Sequence, residues 1–304
     1  MPAPETFRSA FRAALPVLLA TLAAALVLDL YWFHGSTEDV EVRGHSAIRW
    51  MVDRWNGSGG DLTHGWLIPF VTGFLVWRRR RELARAAGKP DWRALGLIAA
   101  ALGLYLLGVR VQQTRLVLGS LLLLIWGTPY LLFGAVVARL LVFPCAYLAF
   151  CIPLSFLDSL TFPLRLMASH AATVMLNGLG IAAINQGTAI RSTAGVGFNL
   201  EVADPCSGLR SLLAMAAVTA LYAYLSQRTT VRQWLLFAAC VPLAVCGNII
   251  RILSVAIVAH VAGQDRATGY YHDYSSFVFF ATAIVLMMGL GSLLNRQWFG
   301  KGSP

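Results

Sequence analysis

Charged residues are scarce in this chain of 304 residues: they make up 12% of it, whereas hydrophobic residues make up 58%. Soluble domains carry about one-quarter charged residues. The apolar residues also form long uninterrupted runs, and runs of about 18 or more residues with few charges are typical of membrane-spanning helices. The composition excludes a soluble fold and predicts an all-α polytopic membrane protein.

Acidic residues are fewer than basic ones, 14 against 24, which leaves a formal net charge of +10. The basic residues lie between the apolar runs, so they indicate orientation in the bilayer and not nucleic-acid binding. The densest group, within residues 78–93, is expected in the cytoplasm by the positive-inside rule.

Cysteine is also rare, with five in the chain. Cys145, Cys151, Cys240 and Cys246 lie in apolar runs, where cysteine behaves as a small hydrophobic residue. Only Cys206 lies in a polar segment, and no second exposed cysteine is available to pair with it. No His-Glu-x-x-His or Cys-x-x-Cys spacing is present, so we expect neither a metal site nor a cofactor.

About eight transmembrane helices are predicted, all within a single membrane domain, residues 1–304. Its parts are five N-terminal spans within residues 13–157, with an outer loop at 34–65; an outer-face segment at 158–205; and a three-span part at 206–304. Gly127, Thr128 and Pro129 are interpreted as a kink in the fourth span, which ends near Ala138, because neighbouring helices can satisfy the freed backbone groups. Arg139 then separates the fourth span from the fifth.

The outer-face segment, between the fifth and sixth spans, has two parts. Residues 161–181 are moderately apolar but carry three polar residues, which favours an amphipathic helix lying on the membrane. Residues 183–202 alternate in polarity around several glycines, which predicts a short β-hairpin or an extended loop. With both termini in the cytoplasm, all the short inner turns are basic, whereas the turn with Arg110 and Arg115 falls outside and runs against the rule.

The polar segment before the sixth span holds the exposed cysteine. Asp204 is a favoured N-cap residue and Pro205 suits the first helical position. Cys206 would then lie in a first helical turn, where the pKa of a thiol falls and the nucleophilic thiolate is favoured. Arg210, one turn on, could hold the thiolate or Asp204. The alternative is a buried capping cysteine without reactivity.

An arginine interrupts the apolar seventh span. Placing Arg251 in a bilayer is costly, so such a residue normally faces a polar interior and has a function. Asn248 lies one turn away and could fix the guanidinium. The alternative is a structural ion pair with Asp158 or Asp204.

A histidine stands at the mouth of the eighth span. His272, with Asp273 beside it in sequence, could act as a general base at neutral pH. The alternative is an interfacial aromatic belt that happens to contain a histidine. A Cys–His pair can cleave a peptide bond through a thioester, and a cation can stabilise the oxyanion.

Four motifs in this order resemble those of the exosortase/archaeosortase family. They are Leu62-Thr63-His64-Gly65-Trp66-Leu67-Ile68-Pro69, Cys206-Ser207-Gly208-Leu209-Arg210-Ser211, Asn248-Ile249-Ile250-Arg251-Ile252 and His272-Asp273. Each is weak alone, but the ordered set is specific and covers roughly residues 50–290. Two positions depart from the family pattern: Asp204 stands where glutamate is frequent, and Ser276 where glycine is.

The resemblance implies a membrane transpeptidase, with Cys206 as nucleophile, Arg251 as the catalytic or oxyanion-stabilising cation and His272 as acid/base. It implies cleavage of a C-terminal PEP-CTERM-type sorting signal and transfer of the protein to an unidentified surface acceptor. The enzyme would lie in the cytoplasmic (inner) membrane with its active site facing outward. The partners would be membrane-anchored substrate proteins and the bilayer. Further residues are expected to support the site (Arg210, Asn248, Asp204, Ser207) or to contact substrate (His64, Pro69).

Two other functions fit the same composition. A small-solute transporter could use Arg251 as an intramembrane charge, and its transport would survive the loss of Cys206. A non-catalytic assembly factor for surface polysaccharide is the third hypothesis. Genes for proteins that end in a short motif, an apolar span and an arginine-rich tail would favour the transpeptidase.

Overall fold

The computed structural model describes residues 5–38, 40, 44–56, 63–153, 156–193, 197–201 and 208–297. Asp204, Cys206 and Ser207 lie outside these ranges, and the side chains of Arg210 and His272 are also outside the description. The chain divides into two compact units, unit 1 (Met1–Leu154) and unit 2 (Ser155–Pro304). Helices dominate both units, which confirms the expectation of an all-α membrane protein. The single domain remains a prediction.

Unit 1 is helical throughout most of its described length. A π-helical turn, Leu28–Phe33, extends the first helix, and 3-10 turns at Thr63–Trp66 and Leu148–Cys151 flank two others. The α-helices are α1 (Glu5–Val27), α2 (Ala47–Asn56), α3 (Leu67–Arg78), α4 (Arg80–Ala86), α5 (Ala94–Arg110), α6 (Thr114–Phe133) and α7 (Ala135–Tyr147).

The predicted loop at 34–65 contains a helix, so the prediction was wrong over the residues of α2. Trp50, Met51 and Trp55 recur at helical spacing and are buried on one side of α2. This amphipathic stripe is short and surrounded by polar residues, which explains why the segment resembles a loop in sequence.

The predicted boundary between the fourth and fifth spans was also wrong. The helix ends at Phe133, because Gly134 has a φ of +87°, a left-handed conformation that favours glycine. Arg139 therefore lies inside α7, where it is exposed, and not in a turn. Pro129 lies within α6 without ending it, as predicted.

Unit 2 begins with α8 (Phe156–Gly178), which agrees with the predicted helix but starts earlier. A sheet of β1 (Ala183–Gln186), β2 (Ala189–Ser192) and β3 (Asn199–Glu201) follows, with both strand pairs antiparallel. The predicted hairpin is confirmed, and a third strand is added. The remaining helices are α9 (Gly208–Ser226), α10 (Thr230–Ala262) and α11 (His272–Gln297).

Helix α10 is the central helix of unit 2 and packs against α8, α9 and α11. Near its C-terminal end, Ile252 and Ala256 join a core with α8 and the sheet. Near its N-terminal end, Leu236 and Cys240 join a second core with α9 and α11. Arg251 lies on α10 close to the junction of these two apolar clusters.

Three helical segments within the described residues are long and apolar enough to cross a membrane: Thr114–Phe133, Thr230–Ala262 and Phe277–Asn295. Shorter apolar helices occupy several of the other predicted spans, and they are Val17–Phe33, Ala94–Arg110, Ala135–Cys151 and Leu212–Ser226. A membrane-spanning protein is therefore supported, while the number eight remains a prediction.

Candidate functional site

Helices α9 and α11 run parallel, in a register fixed by four hydrogen bonds. The Thr219 hydroxyl donates to the sulfur of Met287 (2.9 Å), and the Tyr222 hydroxyl donates to the carbonyl of Met288 (3.3 Å). These partners lie 68 and 66 residues apart. The other two bonds span 64 and 69 residues, and they join Gln227 to Gly291 and Asn295 to Ser226.

Glycine allows this close approach. A Cβ at Gly291 would come within 2.7 Å of the Tyr222 ring and 3.3 Å of Nε2 of Gln227. Both side chains bond to the backbone of α11 at this level, so a larger residue at 291 would displace the bonds that set the register.

Arg251 and Asn248 line one small cavity inside unit 2. The cavity has a volume of about 60 Å³ and lies between α9, α10 and α11, whose contributions include Met215, Leu243 and Phe279. Arg251 is buried, with 8% of its surface exposed, as the cost of an intramembrane cation requires. The two polar residues thus face the same apolar space.

The depth of this cavity can be measured along its helices. Met215 and Phe279 each lie seven residues after the first residue of their helix, Gly208 in α9 and His272 in α11. At 1.5 Å per residue, the cavity is about 10 Å below the end at which both helices begin.

In unit 1, the motif around His64 is built against a tryptophan that sequence reasoning missed. The Trp55 indole nitrogen donates to the carbonyl of Cys151 (2.8 Å). Its ring covers Gly65 so closely that a Cβ there would lie 2.4 Å from the indole nitrogen. Trp66 packs edge-on against Trp55, with 5.1 Å between ring centroids. Gly65 and Trp66 therefore have structural roles in holding this turn.

His64 itself is half-buried at the start of α3. Its Nε2 atom is buried and has no hydrogen-bond partner within the described residues. Burial lowers the pKa of His64 below its ordinary value of 6.5, and the backbone of Phe150 offsets part of that effect. The imidazole is thus neutral at pH 7 and can offer a hydrogen bond. Pro69, in the first turn of α3, is exposed.

Comparison with protein families gives one match. The family model described as transmembrane exosortase matches residues 55–289, which is more than three-quarters of the chain. The chain belongs to the transmembrane exosortase family. Comparisons with curated proteins and with solved structures gave no significant match.

The matched region of this exosortase begins at Trp55 and ends within α11. It includes the turn at His64 and the cavity at Arg251, as well as the positions of Cys206 and His272. It excludes α1, so the family match draws on both units but not on the first helix.

A second feature of the exosortase was missed by sequence reasoning. Arg115 donates to a carboxylate oxygen of Glu38 (2.9 Å) and to the carbonyl of Pro153 (3.0 Å). Its guanidinium also lies 5.4 Å from the ring centroid of Trp50, and Arg54 lies on the same ring at 5.1 Å. Arg115 was an exception to the positive-inside rule in the sequence analysis. The Glu38 carboxylate beside it compensates its positive charge.

Within the described ranges, no group of three His, Cys, Asp or Glu side chains is arranged to hold a metal ion. Cys145, Cys151 and Cys240 are buried and Cys246 is exposed, and all four are free thiols.

Proposed function

We propose that this exosortase is a cysteine transpeptidase that cleaves the C-terminal sorting signal of membrane-anchored proteins and transfers them to a surface acceptor. Cys206 is the nucleophile, His272 the acid/base and Arg251 the supporting cation. The observation that carries the proposal is the register of α9 against α11.

Cys206 and His272 are 66 residues apart in the sequence. The hydrogen-bonded partners, on α9 or at Gln227 directly after it and on α11, are separated by 64 to 69 residues. Helix α9 starts two residues after Cys206, and α11 starts at His272. The same register therefore supports a Cys–His pair at the shared end of the two helices.

The chemistry needs these groups, the substrate and an acceptor nucleophile. His272 removes the thiol proton of Cys206, and the sulfur attacks the scissile carbonyl. His272 then protonates the departing amine, the C–N bond breaks and a thioester forms. An acceptor nucleophile loses its proton to His272 and attacks the thioester, the C–S bond breaks, and His272 returns the proton to the sulfur of Cys206.

Arg251 acts from below this pair. Its cavity is about 10 Å deeper than the starts of α9 and α11, on the estimate from helical rise. A cation at this depth, in an apolar surrounding, attracts the oxyanion and the main-chain carbonyls of a substrate that enters between the helices. Asn248 lines the same cavity and supplies a neutral polar group beside it.

Arg210, Asp204 and Ser207 support the nucleophile in this proposal, whereas His64 and Pro69 contact the substrate. The substrate is a protein that ends in a short motif of the PEP-CTERM type, a transmembrane helix and a basic tail. The enzyme lies in the cytoplasmic membrane, with both termini inside and the site facing outward. That side follows from the positive-inside rule applied to residues 78–93.

A cleavage assay tests the proposal. The full-length enzyme is expressed with a tagged substrate that carries the motif, the apolar span and the basic tail. Cys206→Ala is expected to abolish processing while the protein still inserts. Cys246→Ala, which removes the exposed thiol of α10, is the matched control and is expected to process normally. Normal processing by Cys206→Ala would overturn the proposal.

A further inference from the structure

A cavity lies at the basic end of unit 1, and its lining includes none of the residues of the proposed chemistry. It has a volume of about 510 Å³, within the usual range for small-molecule sites. One wall is the connection between α4 and α5, and the other is the junction of α6 and α7 at Gly134.

The walls are fixed to each other by backbone hydrogen bonds. Gly88 donates to the carbonyl of Phe133 (2.9 Å), and Asp91 donates to the carbonyl of Leu131 (3.0 Å). A Cβ at Gly134 would lie 3.1 Å from the carbonyl oxygen of Lys89, so glycine keeps the walls close. The cavity is therefore preformed.

Its polar lining is basic. Lys89 and Arg93 both line the cavity, are exposed and form no ion pair within the described residues. Asp91 is the one acid in the lining, and its side chain accepts the backbone N–H of Arg93 (3.0 Å). Arg139 lies three residues after the lining residue Val136 on α7, and so shares its helix face.

The apolar lining is exposed as well. Trp92 is 59% exposed, Phe133 41% and Val136 58%. Tryptophan is enriched at membrane interfaces, where its ring lies at the level of the lipid headgroups. A free inorganic anion would leave these three apolar side chains uncovered, whereas a lipid has both an anionic headgroup and an apolar chain.

We propose that this cavity binds the headgroup of one anionic lipid. Lys89 and Arg93 hold its phosphate, Arg139 adds a third positive charge, and the acyl chains descend over Phe133 and Val136. The positive-inside rule puts this end of unit 1 at the cytoplasmic leaflet, whose anionic lipids attract basic residues close to the surface. The site is independent of the transpeptidase chemistry.

Native mass spectrometry of the full chain in a neutral detergent tests the site. The chain is incubated with phosphatidylglycerol, with phosphatidylcholine or with inorganic phosphate. We expect one phosphatidylglycerol to be retained, with phosphatidylcholine bound at least tenfold more weakly. Equal retention of the two lipids would overturn the proposal. Retention of phosphate with an affinity equal to that of phosphatidylglycerol would also overturn it, because it would show a site for free anions.

Two double variants separate the cavity from general electrostatic attraction. Lys89→Ser with Arg93→Ser is expected to weaken phosphatidylglycerol binding about tenfold or more, from two lost basic contacts near the surface. Arg81→Ser with Arg85→Ser removes the same charge from α4, outside the cavity, and is expected to change binding less than threefold. Equal weakening by both would overturn the proposal.

A third variant leaves every basic residue in place. Val136→Asp puts a negative charge on the apolar wall and is expected to weaken phosphatidylglycerol binding, because the charge would meet the acyl chains. Unchanged phosphatidylglycerol binding by Val136→Asp would contradict the assigned path of the acyl chains.

Discussion

Thr219 of α9 donates a hydrogen bond to the sulfur of Met287 of α11, 68 residues further along the chain. Since both side chains are buried, the contact fixes how the two helices are aligned. Helix α10 runs between them in the sequence and returns the chain, so α9 and α11 begin at the same end of unit 2. The account of the active site depends on this parallel alignment.

The alignment predicts that the residues at positions 206 and 272 lie within disulfide distance. We expect His272→Cys, in a Cys246→Ala background, to form a disulfide with Cys206 under mild oxidation, because a disulfide needs Cα atoms about 4.4–6.8 Å apart. Mass spectrometry of unreduced peptides measures the cross-link.

Tyr274→Cys is the control for that experiment. Position 274 is two residues on, about 200° around the helix, and Tyr274 is 69% exposed. It is expected to cross-link far more slowly. Equal rates at the two positions, or no cross-link at 272, would contradict the assigned register.

Arg251 is expected to act on the rate more than on folding. Arg251→Gln removes the cation and keeps a polar side chain, and it should lower kcat about tenfold, since a unit charge about 10 Å from the oxyanion contributes about 1.7 kcal/mol at an effective dielectric constant of about 20. Arg251→Lys should recover part of the rate. Ser254→Ala, three residues on in α10, removes a hydroxyl that donates to the Arg251 backbone carbonyl (2.7 Å) and should leave the rate unchanged. If Arg251→Gln kept more than half of the wild-type kcat, the role would be wrong.

We expect Gly65 to be required for stability, because the ring of Trp55 leaves no room for a larger side chain at this position. In Gly65→Ala the added methyl would overlap the indole, and such overpacking costs about 1–3 kcal/mol. Gly73→Ala, within α3, meets no atom within 4 Å and should be neutral or stabilising by up to about 1 kcal/mol. Thermal unfolding in detergent distinguishes them, and equal midpoints for the two variants would argue against the packing.

His64 is expected to make the stability of the folded protein fall at acidic pH. Burial lowers its pKa in the folded protein below 6.5, so the unfolded chain binds more protons at acidic pH. The contribution of His64 to the free energy of unfolding is therefore fully present above about pH 6.5. It is lost as the pH falls towards the pKa that His64 has in the folded protein. His64→Gln cannot titrate there, so its unfolding midpoint should fall less than that of the wild type between pH 7.5 and pH 5.5. An equal fall of the unfolding midpoint in the wild type and in His64→Gln would show that His64 does not contribute to the pH dependence of stability.

The parts of the fold that depend on local pattern could be predicted from sequence. The apolar runs predicted a third span at about 94–109 and a seventh at about 234–261, close to α5 and α10, and the alternating residues at 183–202 predicted the hairpin of β1 and β2. Both patterns reflect burial along one segment, and neither needs knowledge of a distant partner.

The parts that depend on distant partners could not be predicted. Glu38 and Arg115 are 77 residues apart, and no local pattern pairs them. Gly134 is one of 27 glycines in the chain, and only its left-handed φ identifies it as the end of a helix. For the site, sequence motifs selected Arg251 and Asn248, but only the packing of three helices shows that both line one cavity.

Mass spectrometry of the new C-terminus on a processed substrate tests the central claim most directly. The account predicts that the wild-type enzyme yields a substrate truncated at one peptide bond near its motif, with an acceptor group or a hydroxyl on the new terminus. It also predicts that a thioester adduct maps to Cys206 and that Cys206→Ala yields neither product. A truncated substrate produced by Cys206→Ala at the wild-type bond would contradict the account.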